Sequence, residues 1–74
     1  MDRIDALRLL IDVAEIGRFS AVARQRTVAT SSVTLAVNQL EQEVGATLIT
    51  RTTRRLVFTH EGLALLESAR RIID

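Results

Sequence analysis

The chain has 74 residues, 47% of them apolar, with ten basic residues against nine acidic ones and neither cysteine nor proline. A chain of this length makes one small domain that buries only roughly 60% of its unfolded surface. The apolar share excludes a disordered chain, and the lack of cysteine excludes a disulfide scaffold, a thiolate metal site and a cysteine nucleophile.

Helical periodicity covers most of the length. Asp2 is placed to cap a first helix running to about Ile16, where Gly17 supplies a left-handed stop. Asp5, Arg8, Asp12 and Glu15 share one narrow face at spacings that favour ion pairing along the helix. Leu7, Leu9, Leu10, Ile11, Val13, Ala14 and Ile16 wrap so much of the remainder that the helix is expected to be sandwiched between neighbours. Ser20 is the next cap candidate, opening a short helix from Ala21 to about Arg26, and Thr27-Val28-Ala29 reads as a tight connection. A third helix is expected from about Ser31 to Val44, stopped by Gly45, with Val33, Val37, Leu40 and Val44 as its buried stripe. From Leu48 to Thr59 the period changes: Ile49, Arg51, Leu56 and Phe58 alternate about Thr53-Arg54, which predicts a two-stranded hairpin. Thr59 then caps a last helix carrying Leu63, Leu66, Ala69 and Ile73, still in pattern at Asp74.

The small net charge conceals two basic blocks. Residues 18–40 hold Arg18, Arg24 and Arg26 and no acid, and residues 51–55 hold Arg51, Arg54 and Arg55. All ten basic residues are arginine. Three like charges at a hairpin tip repel one another unless an anion sits there, whereas Arg24 and Arg26 divide evenly between phosphate contact and a wet surface. Two short helices, a tight turn and a basic hairpin give the expected fold, a mainly α winged helix-turn-helix with three helices, a two-stranded wing and a further helix. The side of the third helix opposite Val33 presents Ser31, Thr34, Leu35, Asn38 and Gln42, with no acid among them. Such a face fits the major groove of double-stranded DNA. Leu35 either meets a thymine methyl or folds back on the wing. Arg51, Arg54 and Arg55 suit phosphate or a narrow minor groove, and Ser20 with the amides opening the second helix suits phosphate. The last helix offers more apolar surface than a small core hides, so Leu63, Leu66, Ala69 and Ile73 are expected to form a homodimer interface.

Phe19-Ser20-Ala21-Val22-Ala23-Arg24, Leu40-Glu41 with Val44-Gly45 and Leu48-Ile49, and Arg51-Thr52-Thr53-Arg54-Arg55-Leu56 with Phe58-Thr59 and Gly62 resemble the DNA-binding domain of the LysR-type transcriptional regulators. The likeness spans the whole chain without a gap. It implies residues 1–58 as a winged helix-turn-helix domain, and residues 59–74 as the N-terminal part of a linker and dimerisation helix. It also implies a homodimer, or a tetramer at full length, on an interrupted palindrome. A small-molecule effector would act only through a C-terminal domain absent from this chain. Its contacts carry over to Thr30, Ser31, Thr34 and Leu35 on the recognition helix and to Arg54 on the wing. The chain departs from the family at Thr27, where glycine is common, at Thr30-Ser31, where Gln-Pro is frequent, and at Leu35-Ala36, where the first residue is often arginine. Base readout is therefore expected to lean on Thr34, Asn38, the wing and DNA shape.

Nothing points to catalysis. The single histidine, His60, stands at a helix start, and no catalytic group, metal site or cofactor is expected. No apolar run approaches the ~20 residues of a membrane span. The acidic start Met1-Asp2-Arg3-Ile4-Asp5 is unlike a signal peptide, so a cytoplasmic, nucleoid-associated protein is expected. The alternative is a winged-helix module that binds protein through the same surfaces, with the last helix as its main interface.

Overall fold

The computed structural model describes residues 2–51 and 55–73. Helix α1 (Arg3–Ile16) opens as the sequence demands: Asp2 Oδ1 accepts the Asp5 N–H at 2.8 Å, and Gly17 ends the helix at φ 87°. Leu7, Leu9, Leu10 and Val13 are buried, because α1 is packed by α2, α3 and α4 together. The expected ion pairing along α1 does not form. Its acids instead join helices: Asp12 Oδ2 accepts from Arg26 Nη2 at 2.6 Å, and Glu15 Oε2 from Arg70 Nη1 at 3.3 Å.

Helix α2 (Phe19–Arg26) starts two residues earlier than expected. Arg18, extended at φ −144°, holds the cap position with no side-chain bond, and Ser20 lies inside the first turn. Burial of Phe19, Val22 and Ala23 draws the chain into helix without a polar cap. The connection to α3 (Thr30–Val44) turns on Thr27, a β-branched residue at φ 60°. Thr27 N–H donates to Arg24 O at 3.2 Å and Val28 N–H to Ala23 O at 2.9 Å, so the tight turn satisfies the end of α2 without glycine. The backbone strain has a measurable consequence. Thr27→Gly is expected to stabilise the fold by about 0.5–1 kcal/mol, since a left-handed residue costs L side chains ~1–2 kcal/mol and glycine returns part of that as chain entropy. Thermal melting should show the rise.

Helix α3 begins one residue before the expected start, with Ala29 at its cap. Val33, Val37 and Leu40 are buried as expected, but Val44 is 46% exposed and Ala36 takes its place in the core. The stripe runs off the core at the last turn, where Gly45 at φ 74° reverses the chain. Strands β1 (Ile49–Arg51) and β2 (Leu56–Phe58) pair antiparallel, Ile49 opposite Phe58 and Arg51 opposite Leu56. Helix α4 (His60–Ile73) is capped by Thr59, whose Oγ1 accepts the Gly62 N–H at 3.0 Å.

The root of the hairpin is clamped from both sides. Glu41 Oε2 accepts the N–H groups of Leu48 and Ile49 at 2.8 and 3.2 Å, and Leu48 O accepts the Thr59 N–H at 2.9 Å. Thr59 Oγ1 donates to Thr47 O at 2.6 Å. The Leu48 side chain is 1% exposed within the core. These bonds fix how the wing leaves the helical body.

Candidate nucleic-acid interface

Three structural elements supply the expected contacts. On α3, Thr30, Ser31 and Leu35 are exposed, and Thr34 and Asn38 are half-buried. Thr34 Oγ1 donates to Thr30 O at 3.3 Å, so its lone pairs face outward as acceptors. Leu35 is 57% exposed, which excludes its folding back on the wing. Arg51 and Arg55 are exposed at the two sides of the hairpin. Arg54, the expected tip contact, lies outside the described residues. Ser20 is exposed in the first turn of α2.

Arg51 connects three of these elements. Its Nη2 donates to Asn38 Oδ1 at 3.4 Å, and its guanidinium carbon stands 5.2 Å from the centroid of the Phe19 ring. The wing is thereby brought against the third turn of α3 and the start of α2. Phe19 was not legible as part of the site, because an aromatic at a helix start reads as core. The alternation that placed Arg51 on the same strand face as Ile49 was the available signal.

Electrostatics sharpen the arrangement. Arg3, Arg26, Arg70 and Arg71 are held by Glu43, Asp12, Glu15 and Glu67. Among the described residues Arg18, Arg24 and Arg51 form no ion pair. Glu41, the acid bonded to the wing root, is occupied by two amides. Unpaired positive charge thus remains on α2 and the wing, and outside them on Arg8 of α1 among the described residues. Arg26 in particular belongs to the fold. Arg26→Ala is expected to lower stability by about 1 kcal/mol, or roughly 4–8 °C in melting temperature, because the half-buried Asp12 loses its partner. The same variant should leave the salt dependence of duplex binding unchanged.

The surface expected for dimerisation is only partly available. Leu63 is 55% exposed, and Leu66 and Ile73 are half-buried. Ala69 is a correction: it is fully buried within the chain, where α4 lies along α1. A small side chain is what lets the two helices approach. Ile72, 61% exposed, is the larger apolar group that faces outward. No group of three or more metal-binding side chains occurs among the described residues, and no described helix is long and apolar enough to cross a membrane.

Two short helices meeting at a left-handed turn, the second turned outward, with a hairpin latched beside it, define a winged helix-turn-helix. Residues 4–63 match the family model of the bacterial regulatory helix-turn-helix proteins of the lysR family, and the chain belongs to that family. It is 39% identical over 70 residues to the HTH-type transcriptional regulator CrgA of Neisseria meningitidis serogroup C, a match covering 95% of this chain and 23% of that protein. It is 37% identical over 74 residues to the HTH-type regulator YhjC of Escherichia coli strain K12, covering 100% of this chain and 25% of that one. Among solved structures, the complex of the CbnR DNA-binding domain with DNA superposes with a TM-score of 0.89 at 36% identity, covering 99% of this chain and 83% of that one. The chain spans about a quarter of the length of the curated relatives it matches. These relatives are named as transcriptional regulators.

Proposed function

We propose that this chain binds double-stranded DNA sequence-specifically to regulate transcription, with α3 in the major groove and the arginine-bearing wing on phosphate and the adjacent minor groove. One observation carries the reading: an acid-free outer face on α3 is held beside a wing whose Arg51 has no carboxylate partner among the described residues. The similarity to a DNA-binding domain solved on DNA supports it. Arg54 is assigned to the wing contact, and Ser20 with the first amides of α2 to a flanking phosphate.

Residues 1–58 form the DNA-binding part in this reading, and residues 59–74 begin the linker helix. Two copies pair through α4 by Leu63, Leu66 and Ile73, joined by the exposed Ile72, and set two recognition helices on successive half-sites of an interrupted palindrome. A full-length protein would assemble further to a tetramer and sense a small molecule through a domain beyond this chain. The working compartment is the cytoplasm, at the nucleoid.

Salt titration of duplex binding tests the central point. Counterion release through several arginines should give a plot of log affinity against log salt with a slope of about −4 or steeper for each subunit. Arg54→Ala should make it shallower by about 1. A flat response would remove DNA and leave a protein-binding module.

A further inference from the structure

We infer that Arg51 and Asn38 act as one phosphate clamp, positioned by Phe19, which seizes a single backbone phosphate where the DNA passes from the recognition helix to the wing. The inference rests on the DNA-binding reading and specifies which ligand atom these two side chains take.

The hydrogen bond between them fixes what each can offer. A guanidinium carries only donors, so the carboxamide atom facing Arg51 Nη2 at 3.4 Å is the Asn38 oxygen. The Asn38 NH2 group is then directed away from the arginine as a donor. An asparagine that reads adenine needs its oxygen to accept from N6 while its nitrogen donates to N7. Here that oxygen is already engaged, so the pair presents donors on both side chains to an acceptor-rich group. Phosphate oxygens answer that description, and the cationic member adds charge to the bond.

Position favours phosphate over a base edge. Residues near the N-terminus of a recognition helix reach bases. Asn38 stands roughly 12 Å along the axis from Thr30, at 1.5 Å per residue. Arg51 ends β1 and faces Leu56 across the hairpin, on the tip side of the wing. The pair therefore lies between the groove-reading and wing elements, where a phosphate strand separates the two grooves.

Phe19 is the positioning residue. Its ring is 8% exposed and lies under the guanidinium, 5.2 Å from centroid to carbon, so the arginine is held over one aromatic face instead of sweeping through solvent. No carboxylate competes for it: Arg51 forms no ion pair among the described residues, and Glu41 on the same helix as Asn38 is bound to amides. An arginine fixed in place and left without a counter-charge is matched to an external anion.

Phosphate interference on a bound duplex tests the clamp, with each backbone position neutralised in turn as a methylphosphonate. Among the several positions at which wild-type protein loses affinity, one on each half-site should belong to the clamp and cost about ten-fold. Arg51→Ala and Asn38→Ala should each weaken binding to the unmodified duplex and become insensitive at that position. Their double variant should be no weaker than the worse single one. Phe19→Leu should blunt the sensitivity there, while Phe19→Tyr, which keeps the ring, should restore it at similar melting temperature. An interference pattern in Arg51→Ala identical to wild type would overturn the clamp, as would additive losses. A changed base preference in Asn38→Ala with the phosphate pattern intact would overturn it in favour of base readout by Asn38. Wild-type protein that binds no duplex at all would instead remove the DNA-binding reading on which the clamp depends.

Discussion

Gly62→Ala is expected to lower the melting temperature by roughly 10–20 °C, reflecting a loss of about 2–3 kcal/mol in a domain of this size. Helix propensity alone gives the opposite sign, since alanine is favoured over glycine inside a helix by ~1 kcal/mol. Packing decides the outcome. A Cβ at position 62 would collide with the carbonyl group of Leu48, a backbone group that cannot rotate away. Leu48 O also accepts the Thr59 N–H at 2.9 Å, and Leu48 N–H is held by Glu41. Moving α4 outward to admit the methyl group therefore strains the wing root on both sides. Thermal unfolding followed by circular dichroism measures the change. A rise in melting temperature would mean that the approach of α4 to Leu48 is looser than the structure shows. Because the same junction aims the hairpin, duplex affinity should fall even at temperatures where the variant is folded.

Leu35→Arg is expected to create a preference for guanine at one position of each half-site, of roughly ten-fold or more. A bidentate arginine–guanine contact is worth ~1–3 kcal/mol of discrimination. Leu35 is 57% exposed on the outer face of α3, so an arginine there meets no packing obstacle. Leu35→Ala should have a different effect: it removes the branched apolar end of the side chain, relaxing any preference for thymine while leaving the salt slope unchanged. Selection of bound duplexes by each variant reads both outcomes. Unchanged preferences in both variants would place residue 35 outside the groove and shift base readout to Thr34 and its neighbours.

The helices were legible because their signals are local. Asp2, Gly17, Gly45 and Thr59 do at the helix ends what their side chains or their freedom at positive φ allow, and the 3.6-residue period identified Val33, Val37 and Leu40 as core. Misreadings occur where tertiary packing overrides a local rule. Ser20 is a better cap than Arg18 by chemistry, yet burial of Phe19 sets the start of α2. Val44 continues the stripe by angle, yet the core ends one turn earlier. Asp12 and Glu15 have partners on α1 by spacing, yet Arg26 and Arg70 reach them from other helices.

The site was legible as composition but not as geometry. Block charge marked α2 and the wing as basic, and the third helix displayed its acid-free face through angle alone. That Arg51 meets both Asn38 and Phe19 depends on the strand register and on how Glu41 and Thr59 anchor the hairpin. None of these is a periodicity. Glu41 illustrates the limit: an acid by composition, it serves as an acceptor for two wing-root amides in the fold. Ala69 illustrates another, since a helix face that looks available for a partner is already occupied by the chain's own α1.

Selection of bound duplexes from a random pool shows whether the protein reads DNA sequence as a two-fold dimer. Enrichment is expected of a two-fold related pair of half-sites, separated by about one helical turn (~34 Å) or a multiple of it. Their conserved bases should lie under Thr34 and Leu35, flanked by a shape-dependent segment under the wing. A pool that stays random after repeated rounds, with the protein folded throughout, would contradict sequence-specific binding.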